Sequence, residues 1–163
     1  MIVPNLKGGL GNQLFQIAAS YAHSLDVNDD FSINYNLPHN LGQGNKAIQY
    51  KYNVFSKIES TSIIPSNIYN EPDFSYNKIP SQKNILIDGY FQSEKYFKNY
   101  KNKIKSLFDF SSIKINKKYS SLKNKVVLHV RRGDYLENND THPLTPLNYY
   151  KKCLKELDLK SSN

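Results

Sequence analysis

Three of the chain's seven glycines, Gly8, Gly9 and Gly11, follow directly on the short apolar run Ile2-Val3-Pro4-Asn5-Leu6. Behind them Leu14, Phe15, Ile17, Ala18, Tyr21, Ala22 and Leu25 recur at helical spacing. Strand, glycine-rich turn and amphipathic helix, in that order, open an α/β unit. Asn12 is the expected N-cap of the helix. The turn itself, Gly8-Gly9-Leu10-Gly11-Asn12-Gln13, is not a P-loop, because no Gly-Lys-Ser/Thr follows, and it misses the G-x-G-x-x-G dinucleotide spacing. It offers close backbone approach, free amides at a helix N-terminus and two carboxamides, a set that suits a sugar or a phosphate. A tight structural turn is an equally good reading of the bare pattern.

Further α/β elements follow. Phe31-Ser32-Ile33-Asn34-Tyr35 alternates and predicts a strand. Residues 36–83, with Pro38, Pro65, Pro72 and Pro80 among Asn and Ser, predict loops with one or two short helices. Ile85-Leu86-Ile87-Asp88-Gly89-Tyr90 predicts another strand, and Tyr96, Phe97, Tyr100, Ile104, Leu107 and Phe108 mark a helix after it. The lysine-rich stretch 111–125 leads into a second unit. Its strand is 126–130, buried; its helix has Thr145 as N-cap and Pro146 in the first turn, then Tyr149, Tyr150, Cys153, Leu154 and Leu157. One strand and one helix cannot bury a parallel strand on both faces. The expectation is therefore an N-terminal α/β domain over 1–110 and, over 111–163, the beginning of a second domain whose remainder is absent. Such an unfinished sheet leaves an edge and an apolar face open to self-association.

Of 22 basic side chains only Arg131 and Arg132 are arginines, and they are adjacent, in His129-Val130-Arg131-Arg132-Gly133-Asp134-Tyr135. In a chain otherwise reliant on lysine, the pair points to a task lysine cannot do. Arginine is a rigid fork of donors that grips phosphate or carboxylate through two bonds, whereas lysine is a flexible point charge. The pair falls on the loop leaving the predicted strand's carboxyl end, where open α/β sheets bind ligands. The alternative is a surface pair with carboxylate partners.

Composition adds bounds. At 163 residues, 39% hydrophobic and 22% charged, the chain is globular and long enough for one domain with a core. A formal charge of +8 suggests an anionic partner, although lysines spread along amphipathic stretches more often form a solvated face. The lysines are not interleaved with aromatics in a nucleic-acid-binding pattern, so no nucleic-acid partner is expected. The single cysteine, Cys153, excludes an internal disulfide, fits a reducing compartment and reads as a helix core position. With no leader or span visible, the expected location is cytoplasmic, at most peripheral on the cytoplasmic face of a membrane.

Together, Gly8-Gly-Leu-Gly-Asn-Gln-Leu-Phe-Gln16, Asp88-Gly-Tyr-Phe-Gln-Ser-Glu-Lys-Tyr-Phe97 and His129-Val-Arg-Arg-Gly-Asp-Tyr135 resemble the α-1,2-fucosyltransferases, glycosyltransferase family eleven. His142, Leu144 and Tyr149-Tyr150 continue the match, which spans nearly the whole chain. The resemblance implies a GT-B-like pair of Rossmann-type domains and an inverting, metal-independent enzyme. It would move L-fucose from GDP-fucose to the 2-hydroxyl of a galactoside. GDP-fucose is then the donor substrate, a galactose-containing glycan the acceptor, and no cofactor or metal is called for. Carried over, Arg131 and Arg132 grip the pyrophosphate and carry catalysis. His129, Gly133 and Asp134 shape that loop, Tyr135 packs beside the nucleotide, and Gly8, Gly9, Gly11 and Asn12 face them from the N-terminal domain. Family members continue for about 100 residues or more, the extent needed to complete a typical domain. A missing C-terminal half is therefore the remaining expected partner.

Leaving GDP builds negative charge on the phosphate, and fixed cations aimed at developing charge are usually the largest catalytic term. Glu137, Asp140, His142 and Asp134 are all candidates for the base, each with a structural alternative, and none is singled out. His129, in a strand, is as well read as a core histidine. His23 and His39 have no companions suggesting a metal site. The alternative function is a non-catalytic nucleotide-sugar or glycan-binding module.

Overall fold

A computed structural model describes residues 1–38, 45–111, 126–132, 136 and 143–161, with side chains described up to 157. The chain divides into two compact units, Met1–Lys114 and Ile115–Asn163.

In the first unit, strands β1 (Ile2–Pro4), β2 (Asn67–Asn70) and β3 (Ile85–Asp88) form a parallel sheet in the order β1-β3-β2. Val3 lies opposite Leu86, and Ile68 lies opposite Leu86 on its other side. Ile2, Ile85 and Ile87 are buried, as expected of short apolar strands covered on both faces. Single parallel bridges extend the sheet beyond β1, from Ile2 to Phe31 and from Ile33 to Ser60. The predicted strand 31–35 is reduced to these contacts. Asn34 ends it by accepting the Asn36 amide on its side chain and donating to the Ile63 carbonyl.

Helix α1 (Leu10–Val27) crosses back over the sheet. Gly9, not Asn12, is its N-cap, in extended conformation (φ −70°, ψ 172°). Asn28 ends it in the left-handed region, donating its amide to the Ser24 carbonyl. Ile17 and Ala18 enter one apolar cluster with Ile33, Phe55 and Ile104; Ala19 enters a second with Ile2, Ile85, Ile87 and Phe91. The helix thus ties both clusters together.

Within 36–83 the short helix is a 3-10 turn, Ala47–Tyr50, and β2 is an edge strand that the loop reading missed. The helix expected after β3 is broken into 3-10 turns, Glu94–Tyr96 and Lys98–Tyr100, followed by α2 (Lys101–Leu107). Phe97, at φ −140°, interrupts it.

In the second unit, helix α3 (Leu147–Ser161) begins directly after Pro146, whose carbonyl accepts the Tyr149 amide. The expected buried strand 126–130 is not formed. Residues 126–132 take no regular structure and are exposed, Val127 to 86%. Among the described residues no strand pairs with this segment, so its apolar side chains have no sheet to enter. No helix of the described residues is long and apolar enough to cross a membrane.

Candidate functional site

Because β1 and β3 are parallel neighbours, the loops leaving their carboxyl ends emerge side by side. One loop is Lys7-Gly8-Gly9, the other Asp88-Gly89-Tyr90-Phe91-Gln92. The sheet order also reverses here, since the segments after β1 run outward on one side and β2 lies on the other. Such a switch point leaves a crevice at the strand ends.

Two buried glutamines of α1 hold the first loop. Gln16 accepts the Lys7 amide at 3.0 Å and donates to the Lys7 carbonyl at 3.1 Å. Gln13 donates from Nε2 to the carbonyls of Gly8 and Asn45, both at 2.8 Å. Polar residues on the inward face of α1 thus replace the hydrogen bonds that the glycine loop cannot make to itself. Gly8 sits at φ +73°, and a Cβ there would lie 2.5 Å from the Asn12 side-chain nitrogen. The left-handed conformation favours glycine at this position, and a side chain there would displace the Asn12 carboxamide. Gly9 and Gly11 differ: a Cβ on either would meet nothing within 4 Å, so their backbone borders open space.

The second loop is shaped by Glu71, just after β2. Its carboxylate accepts the Tyr90 amide at 2.6 Å and the Phe91 amide at 3.0 Å. Phe91 is held at φ +51°, a costly conformation for a side-chain-bearing residue, and its fully buried ring packs against Tyr69 and Tyr96. A Cβ on Gly89 would lie 2.3 Å from Cβ of Glu71, so only glycine admits this acid beneath the turn. Burial, reinforced by the Glu71 and Asp73 carboxylates, raises the Tyr69 phenol above its usual range.

Two polar contacts then join the loops. Lys7 Nζ meets Asp88 Oδ1 at 2.6 Å and lies over the Tyr90 ring, 5.3 Å from its centroid. Gln92 donates from Nε2 to Asn12 Oδ1 at 2.7 Å. Asn12 is therefore a bridge between the loops rather than a cap. The result is a fixed crevice edge carrying a cation, a carboxylate, two carboxamides and open glycine backbone.

Gly8, Gly9, Gly11 and Asn12 are thus brought together. Lys7, Gln16, Glu71 and Gln92 complete the edge. Of these, Gln16 and Gln92 lie inside the two motifs, whereas Glu71 has no local signal and is found only through the turn it supports.

In the second unit Arg131 and Arg132 are exposed on the irregular segment 126–132. His129 is exposed there rather than buried, because the segment enters no sheet, and its carbonyl accepts the Tyr150 hydroxyl at 3.4 Å. Gly133, Asp134 and Tyr135 lie outside the described residues, as do Glu137, Asp140, His142 and His39. Cys153 is half-buried on α3, and its hydrogen bond with Tyr149 raises that phenol. No group of metal-ligating side chains occurs among the described residues.

A family model for Glycosyl transferase family 11 matches residues 5–163. The chain is similar to an alpha-1,2-colitosyltransferase of Escherichia coli, 28% identical over all of this chain and 66% of that protein. It is 27% identical to a galactoside 2-alpha-L-fucosyltransferase of Caenorhabditis elegans, over 79% of this chain and 37% of the relative. An O-antigen biosynthesis glycosyltransferase of Escherichia coli, WbnK, is 26% identical over 94% of the chain and 67% of the relative. The chain therefore spans about two-thirds or less of the length of these relatives. No solved structure shows significant similarity to it.

Proposed function

The chain belongs to glycosyl transferase family 11, and from that premise we propose that it is part of an inverting transferase that moves L-fucose from GDP-fucose to the 2-hydroxyl of a galactoside. The observation that carries this reading is the joining of two motif loops at one sheet edge, through Lys7–Asp88 and Asn12–Gln92. That edge offers hydrogen-bonding groups of the kind that recognise hydroxyls, beside open backbone at Gly9 and Gly11. The names of two relatives agree on a sugar linked α to a 2-position and differ in the sugar, colitose in one and fucose in the other.

In this reading the carboxyl edge of the first unit serves the acceptor side. Arg131 and Arg132 take the donor pyrophosphate, each guanidinium able to give two parallel hydrogen bonds. As the bond between fucosyl carbon and phosphate lengthens, negative charge grows on GDP and meets cations already in place. In this reading the two guanidinium groups supply the countercharge, and no metal ion is called for. The acceptor hydroxyl attacks the fucosyl carbon from the opposite face as the bond to GDP breaks, and its proton passes to solvent water.

The test is to incubate the chain with GDP-fucose and a free galactoside and to determine the product linkage by NMR. An α-1,2-linked fucoside supports the reading. Transfer only from a nucleotide-activated colitose would replace the sugar. Donor binding without turnover would favour a binding module instead.

A further inference from the structure

A cleft of about 410 Å³ opens in the first unit beside the second half of α1 and is lined wholly by residues between Ala19 and Tyr100. Its α1 residues, Ala19 to Val27, lie roughly 15–25 Å along the helix axis from the glycine loop at 1.5 Å per residue. None of the residues assigned above to the transfer site lines it. Its size falls in the range of small-molecule sites, which combine an apolar lining with a few placed polar groups.

Ala19, Val27 and Ile79 are the aliphatic residues of its lining. Tyr76 stands at the rim, 42% exposed, and meets Tyr96 edge-on with ring centroids 4.8 Å apart. Tyr96 is committed to structure, since its hydroxyl accepts the Asn77 amide at 3.1 Å. Two other polar groups are also occupied. Asp26 accepts the Tyr100 hydroxyl at 2.5 Å, and His23 Nε2 meets the Gln82 carbonyl at 2.9 Å. Ser81, Asn99 and the exposed Asp26 carboxylate also line the cleft, beside two exposed cations, Lys78 and Lys95. Neither meets a carboxylate among the described residues, and Lys95 Nζ lies 5.9 Å from the Tyr76 ring centroid.

The face of the exposed Tyr76 ring away from Lys95, with aliphatic side chains lining the same cleft, suits the C–H face of a sugar. Two ammonium groups beside it suit a negative substituent. We propose that this cleft is a second saccharide-binding site, which takes a sugar ring bearing a phosphate or carboxylate group. It stands apart from the transfer reaction and does not depend on the donor assignment.

The test is a calorimetric titration of the 163-residue chain with glucose 1-phosphate and with glucuronate, with GDP in excess. Glucose and inorganic phosphate serve as controls. At least one anionic sugar binds saturably and at least ~10-fold more tightly than either control, about 1.4 kcal/mol. Lys78→Ala with Lys95→Ala, and separately Tyr76→Ala, each weaken that binding by ~10-fold or more on the same scale. All three side chains are exposed, and unchanged melting by circular dichroism verifies that the variants fold. Absence of saturable binding by both anionic sugars would overturn the proposal. So would unchanged affinity in the variants, or inorganic phosphate binding as tightly as glucose 1-phosphate.

Discussion

The ammonium of Lys7 lies 2.6 Å from a carboxylate oxygen of Asp88, joining residues 81 positions apart. The pair is largely shielded, with side-chain exposures of 20% and 27%; Asp88 is the last residue of β3, and Lys7 lies on the loop after the neighbouring parallel strand β1. A pair so placed is worth more than an open surface ion pair and remains partly screened. In a double-mutant cycle of Lys7→Met and Asp88→Asn, the coupling energy should be about 1 kcal/mol and should shrink modestly in high salt. Chemical denaturation of the four proteins measures it.

Gly89 is required by Glu71 rather than by its own backbone angle. Gly89→Ala places a carbon 2.3 Å from Cβ of Glu71, an atom that cannot rotate away. The turn must shift and loosen the two amide bonds to the carboxylate, at a cost of about 2–4 kcal/mol. A fall in melting temperature of at least several degrees is the expected result. Gly11→Ala, in the first turn of α1 where the added carbon meets open space, should leave stability unchanged or raise it by up to about 1 kcal/mol.

Tyr35 carries a buried hydroxyl with no hydrogen-bond partner among the described residues. Burial, with Tyr52 nearby, pushes its pKa from 10.0 up to about 12. The folded state holds this proton more tightly than the unfolded one, so the stabilisation is complete below pH 10 and is lost as pH rises towards about 12. Tyr35→Phe should cost less than about 1 kcal/mol at neutral pH, because the hydroxyl it removes has no hydrogen-bond partner among the described residues. It should also flatten this part of the alkaline limb, measured by denaturation across the pH range.

Arg131→Lys and Arg132→Lys, made in a form of the chain that transfers sugar, should each lower turnover by about 100-fold, the scale for losing a donor aimed at developing charge. Charge is kept in both variants, so the loss would report the forked geometry. Activity within a few-fold of the parent in both would remove the arginines from the catalytic role.

Much of the first unit was legible because its elements carry strong local patterns. Helix α1 shows helical periodicity over five turns, and β1 and β3 are apolar runs that end at glycine turns. Strand β2 was not legible. Asn67-Ile68-Tyr69-Asn70 is polar at both ends and exposed on one edge, and the parallel register with β3 makes it a strand. The helix after β3 had the right apolar spacing, yet tertiary contacts of Phe97 and Tyr100 break it into short turns. The same dependence on neighbours explains residues 126–130, whose β-branched composition meets no partner strand among the described residues. At the candidate site the glycines were legible from their spacing. Glu71 was not, because its importance lies in two amides about 20 positions away.

The most direct measurement is a GDP-fucose titration of the chain and of its Arg131→Lys, Arg132→Lys double variant. The account predicts saturable binding by the parent and an affinity at least ~10-fold lower in the double variant, about 1.4 kcal/mol for two lost bidentate grips. No binding, or equal binding by both proteins, would contradict it.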